Sequence, residues 1–235
     1  QKREFDMSLI TLNNMSKSYP VGNQQIAAVQ GLTLDIQACE FTVLAGPSGS
    51  GKTTVLNIVG ALDTPTEGSV RVDGSDFSKM SARQLADFRL RRIGFIFQSY
   101  NLIPVLTAAE NAEFTLMLQG MAPLERRQKI SAIFAELGIE GLEDRRPNDL
   151  SGGQQQRVAI ARAIAPQPAV ILADEPTANL DSHTAEDLLE LMRRLNNEKG
   201  TTFLFSSHDP LVIAHAERVI SLRDGQLEND IQQEL

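Results

Sequence analysis

The segment Gly46-Pro47-Ser48-Gly49-Ser50-Gly51-Lys52-Thr53 constrains this chain more than any other stretch. It follows a compact apolar run, Phe41–Ala45, and leads into an uninterrupted helical pattern that begins near Lys52. A strand, a glycine-rich loop and a helix in that order make a concavity for anions. The glycines let successive backbone N–H groups point inward, and the helix adds the positive end of its dipole. The full G-x-x-x-x-G-K-[ST] pattern suits the phosphates of a nucleoside triphosphate. Lys52 supplies a mobile point charge, the Thr53 hydroxyl can ligate Mg²⁺, and Thr54 can donate a further hydrogen bond. A chance glycine-rich loop would not meet all four constrained positions in this context.

A second acidic site lies far along the chain. Ala169–Ala173 reads as a buried strand that runs into Asp174 and Glu175. A strand buried on both faces has no reason to end in paired acids unless a cation is near. Taken alone, the pair would also fit an N-terminal cap of the next helix. Beside the phosphate loop, the resemblance to P-loop ATPases assigns Asp174 to Mg²⁺. Strand alternation is expected to turn Glu175 the other way, where it can accept a proton from an attacking water.

Leu150-Ser151-Gly152-Gly153-Gln154-Gln155-Gln156-Arg157 resembles the signature of ATP-binding cassette (ABC) ATPases. The phosphate loop, Gln98, the signature, Asp174-Glu175, Asn179-Leu180-Asp181 and His208 follow one another in that family's order. The chain is identified on these residues as a member of the family. The resemblance implies an α/β fold: a RecA-like P-loop NTPase core with an antiparallel β sub-domain and a helical insertion carrying the signature. Residues 7–235 are expected to form one domain, with the core at about 7–98 and 166–235 and the helical sub-domain at about 99–165. Gln1–Asp6 show no useful periodicity and read as a vector-derived remnant ahead of Met7.

The coarse pattern agrees with that architecture. Strands are expected at Leu9–Leu12, Ile26–Ile36, Val70–Val72, Ile93–Phe97, Thr202–Phe205 and in a closing hairpin, Val219–Leu222 with Gln226–Leu227. Helices are expected near Ala108–Gln119, Pro123–Leu137, Gln154–Ala165 and Ser182–Glu198, with Pro166 ending the third.

The resemblance also implies roles. ATP would be held by Gly46 through Thr54, with Tyr19 against the adenine, and Mg²⁺ by Thr53, Gln98 and Asp174. Glu175, His208, Gln98 and Lys52 would be catalytic. Without the family pattern, Gln98 reads as a surface glutamine, His208 as a polar cap at a strand end and Tyr19 as packing. Ser151 can cap a helix whose Gly152 and Gly153 leave backbone N–H groups open to a phosphate. In this family Ser151, Gly152, Gly153, Gln154 and Asp181 would act in trans, each ATP lying between one chain's phosphate loop and a second copy's signature. Ser206-Ser207 precede His208 where the family often has threonine, a departure expected to be harmless. His183 and His215 receive no role, and Cys39 reads as structural.

Composition excludes several alternatives. Lys plus Arg number 22 against 30 Asp plus Glu, for a net charge of −8, so the broad basic face that nucleic-acid binding needs is not expected. A single cysteine cannot build a disulfide framework and fits a reducing compartment. No apolar run approaches the roughly 18 residues of a membrane span. The resemblance therefore implies an integral-membrane permease as partner, with this chain peripheral at the cytoplasmic face of the inner membrane. Gly94–Asn111 looks like the lipoprotein-release and macrolide-export branch. Within it, Leu102, Ile103, Val105 and Leu106 fit either a groove for a permease helix or the core of the helical sub-domain. A regulatory cassette resembling the cell-division type, signalling without moving a solute, is the alternative reading.

Overall fold

The computed structural model describes residues 8–22 and 24–233; the readings of Gln1–Asp6 and Met7 fall outside them. The chain runs β1 (Ile10–Val21), β2 (Gln24–Ile36), β3 (Phe41–Ala45), α1 (Lys52–Val59), β4 (Glu67–Val72), β5 (Ser75–Asp76), α2 (Ala82–Arg92) and β6 (Ile93–Phe97). It continues through α3 (Ala108–Leu118), α4 (Pro123–Glu136), α5 (Gly152–Ile164), β7 (Val170–Asp174), α6 (Ser182–Lys199), β8 (Thr202–Ser207), α7 (Pro210–Ala214), β9 (Arg218–Arg223) and β10 (Gln226–Gln232).

Two sheets organise these elements. One is antiparallel, in the order β2-β1-β4-β5. The other runs β10-β9-β3-β8-β7-β6, parallel from β9 to β6 with β10 as an antiparallel edge. In the parallel sheet every residue of β3 and β8 is buried, as strands covered on both faces require. Alternate residues serve two separate apolar layers. Val43, Ile171, Phe203 and Phe205 pack with α3 to α6, while Leu44, Leu172 and Leu204 pack over α1 and the antiparallel sheet. The phosphate loop thus sits where β3 enters α1, between the two layers. The fold is the mixed α/β one expected, with the signature at the start of α5.

Two departures have physical causes. β1 continues to Val21, well past Leu12, because its register shifts between Leu12 and Met15 and again up to Ser18, with Asn14 at φ 48°. Those bulges break the alternation by which a strand is recognised. Helix α2 has no counterpart among the expected elements, since Phe88 is its one buried residue and the apolar stripe is lacking. Its local signal was a capping box: Ser81 accepts from the Gln84 amide, and Gln84 returns the contact to the Ser81 amide.

Candidate functional site

The phosphate loop is braced from below. Ser50 N–H donates to Pro47 O, and the Gly225 amide in the β9–β10 turn donates to Ser50 O. Gly46 has φ 146°, and a Cβ there would lie 2.2 Å from Leu222 O, so no other residue fits. Lys52 begins α1 and folds back over the loop, its Nζ donating to Gly46 O at 2.7 Å and Pro47 O at 3.0 Å. It is buried, its charge held by these two carbonyls.

A cavity of about 480 Å³ opens over this loop. Ser48, Gly49, Gly51, Lys52, Thr53 and Thr54 line one side; Gln98, Asp174, Glu175, Ser206 and His208 line the other. The ends of β6, β7 and β8 therefore bring together residues that lie up to 160 positions apart (48 to 208). Thr53 Oγ1 lies 3.2 and 3.3 Å from the two Asp174 oxygens. The hydroxyl of Thr53, the carboxylate of Asp174 and the side-chain amide oxygen of Gln98 are all hard oxygen donors. That donor set fits Mg²⁺.

Glu175 does turn away from Asp174, but not by strand alternation. β7 ends at Asp174, and Glu175 sits in the left-handed region at φ 46°. Its amide donates to Ser206 O at 2.9 Å, which pins the turn. One carboxylate oxygen then meets His208 Nδ1 at 2.6 Å and the other accepts from Ser207 Oγ at 2.8 Å. Ser207 Oγ accepts in turn from the Asp209 amide at 3.1 Å, so its own proton is directed to Glu175. Of the two serines in this departure, Ser207 meets Glu175 through its hydroxyl, whereas Ser206 meets it through its backbone carbonyl.

Tyr19 lies on β1, outside the lining of this cavity, although Thr54 is close to its hydroxyl. The hydroxyl donates to Asp63 at 2.8 Å, and Lys17 Nζ sits 4.9 Å from the ring centre and 2.6 Å from the other Asp63 oxygen. Burial and the adjacent carboxylate raise the Tyr19 pKa, so the phenol stays protonated. Lys17 and Asp63, which hold this ring, had no motif to mark them.

The signature stands apart from the loop of its own chain. Ser151 N-caps α5 in a reciprocal capping box with Gln154, accepting from the Gln154 amide at 3.3 Å while its own amide donates to Gln154 Oε1 at 2.9 Å. Asp181 caps α6 through Thr184. The two helix starts touch: a Cβ on Gly153 would lie 2.6 Å from the Thr184 methyl. None of Ser151, Gly152, Gly153, Gln154 or Asp181 lines the cavity.

After Gln98 the chain turns through two left-handed residues, Tyr100 at φ 60° and Asn101 at φ 50°. Arg162 of α5 fixes both by donating to their carbonyls at 2.8 and 2.6 Å. Asn179 donates to Gln98 O at 2.8 Å. Downstream, the fully buried Asn111 binds the backbone of Ile103 and Leu106 and turns the segment onto α3. Leu102 consequently packs into the helical layer, whereas Val105 is 74% exposed. An apolar cavity of about 440 Å³ does adjoin this segment, but Leu62, Leu90, Phe95 and Leu118 line it, and Leu102, Ile103, Val105 and Leu106 do not.

A sequence-family model described as ABC transporter matches residues 29–178. An uncharacterised ABC transporter ATP-binding protein of Thermotoga maritima is 44% identical over 220 residues, spanning 94% of both chains. The chain belongs to the ABC ATP-binding cassettes. It is an ATPase of that family. The dimeric post-hydrolysis structure of the cassette MJ0796, bound to ADP and Pi, superimposes with a TM-score of 0.89 at 43% identity, covering 96% of this chain and 99% of that one. MJ0796 comes from Methanocaldococcus jannaschii. The macrolide export ATP-binding/permease protein MacB of Brucella melitensis is 46% identical over 222 residues. That match covers 94% of the cassette but 34% of MacB, so the chain spans about a third of this relative's length. The lipoprotein-release and macrolide-export likeness read from Gly94–Asn111 agrees with this relative. Among the described residues no helix is long and apolar enough to cross a membrane.

Proposed function

We propose that the cassette is one half of a head-to-tail homodimer that closes around two MgATP and, by hydrolysing them, drives a membrane permease of the macrolide- or lipoprotein-export kind. The observation that carries this reading is the separation of two anion-binding helix starts within one chain. The start of α1 opens into the cavity, whereas Ser151–Gln154 at the start of α5 do not. A second copy offers its signature to that cavity in the simplest arrangement that uses both. The dimeric ADP- and Pi-bound form of MJ0796 supports this reading.

In this mechanism the loop amides and Lys52 bind the phosphates, and Tyr19 takes the base. Thr53, Asp174 and Gln98 hold Mg²⁺, which when bound neutralises charge on the phosphate oxygens. Glu175 accepts the proton of the attacking water, oriented by His208 and Ser207. Ser151, Gly152, Gly153, Gln154 and Asp181 act on the partner's nucleotide. The apolar cavity walled by Leu62, Leu90, Phe95 and Leu118, beside Arg162 and Gln98's loop, takes an amphipathic helix from the permease. Docked so, the cassette works at the cytoplasmic face of the inner membrane.

Sedimentation of the Glu175→Gln variant with MgATP tests the dimer. A dimer that forms with nucleotide and is abolished by Gly153→Asp supports the reading; a monomer at saturating MgATP overturns it.

A further inference from the structure

The two serines that end β8 leave the strand on opposite faces. Ser207 serves Glu175. Ser206 points the other way, toward the layer over α1 that contains Leu204, two residues before it, and Leu44, its register partner on β3. Its partner on β7 is Asp174. Ser206 is fully buried, and its hydroxyl has no hydrogen-bond partner. Five buried side-chain polar atoms among the described residues lack a partner, and Ser206 Oγ alone belongs to a residue lining the nucleotide cavity. A buried donor left unpaired destabilises the fold relative to alanine in the same place. The hydroxyl therefore has a use in another state of the site.

We propose that Ser206 is a positioning residue for Asp174, donating to its carboxylate when a divalent cation is bound. The inference rests on the assignment of Thr53 and Asp174 to Mg²⁺ made above. Here the Thr53 hydroxyl straddles both Asp174 oxygens at 3.2 and 3.3 Å, although one proton can serve only one oxygen well. Once Asp174 settles with a single oxygen on Thr53, the other is free to accept from Ser206, its neighbour across the strand pair. Two hydroxyls, one from α1 and one from β8, then fix the carboxylate. This is the outer-shell support that sets a metal ligand's orientation.

Calorimetric titration of ATP into the wild-type cassette and Ser206→Ala, each with Mg²⁺ and with EDTA, tests the role. Ser206→Ala is expected to bind metal-free ATP like the wild type but to lose about tenfold of the affinity gained from Mg²⁺. Binding of Mn²⁺ to the ATP complex, read by electron paramagnetic resonance, should weaken in parallel. The unliganded melting temperature should stay level or rise, because an unpaired hydroxyl is removed. A variant with the full Mg²⁺ gain and wild-type Mn²⁺ binding overturns the inference while leaving Thr53 and Asp174 in place. A wild type that gains nothing from Mg²⁺ overturns both.

Discussion

Glu175 Oε1 and His208 Nδ1 stand 2.6 Å apart, joining the turn after β7 to the end of β8. Ser207 holds the second Glu175 oxygen at 2.8 Å, and the Ser206 carbonyl holds the Glu175 amide. The carboxylate is thus gripped at both oxygens by residues 32 and 33 positions away, while its backbone is locked at φ 46°. Such a grip fixes where the carboxylate points before any ligand arrives, the preorganisation that the proposed role of general base requires.

Glu175→Gln removes the carboxylate proposed as the base and keeps the shape. Turnover is expected to fall by about 10²–10⁴-fold, the usual share of general base catalysis. ATP binding should survive, because the phosphate loop is untouched. Phosphate release measured beside nucleotide binding checks this, and near-normal turnover would move the base elsewhere.

Lys52→Ala acts on the other side of the cavity. The ammonium is held in place by Gly46 O and Pro47 O, so little ordering is needed when phosphates bind. Losing its charged hydrogen bonds is expected to weaken ATP by about tenfold or more. Calorimetry would refute the assignment by finding unchanged affinity.

Asp63 links stability to pH. Burial works against its charge, yet hydrogen bonds from Lys17, Tyr19 and the Thr64 amide outweigh that and hold its pKa below the ordinary carboxylate range. The folded form therefore binds fewer protons than the unfolded one in acid. The stabilisation is complete above the ordinary value near ~4 and fades as pH falls through the lower folded value. Melting temperatures of the wild type and Asp63→Asn should differ at neutral pH and converge in acid. A gap that persists at low pH would show that the carboxylate's charge is not what matters.

Much of the site was legible because its chemistry is written in consecutive residues. Gly46–Thr53, Asp174-Glu175 and Ser151–Gln154 each form a local pattern whose physics can be stated without a fold, and the strong buried strands around them follow from unbroken apolar runs. What escaped was what depends on distant contacts. Ser207 looks like any strand-end serine until β7 and β8 lie side by side. Asp63 and Lys17 acquire a purpose only when β1 and the chain after α1 meet at Tyr19. The turn at Glu175 depends on a left-handed residue that glutamate seldom adopts, so alternation was the natural and mistaken expectation. Helix α2 buries only Phe88, and periodicity has nothing to register there.

Arg162 gives the last test of such a distant contact. Its guanidinium is largely removed from water, which lowers its pKa, and it spans the carbonyls of Tyr100 and Asn101 just past Gln98. Arg162→Ala leaves both carbonyls without their charged donor and frees two residues from a left-handed conformation. A loss of about 3 kcal/mol in stability is expected, from two hydrogen bonds to a charged group. Lysine offers one compact point charge in place of a planar fork, so Arg162→Lys should recover only part of it. Amides from Ser99 to Ile103 should exchange faster in both variants, and turnover should fall further than ATP affinity, because Gln98 shifts while the phosphate loop does not. Unchanged exchange in that segment would mean that its shape is set by Asn179 and Asn111 alone.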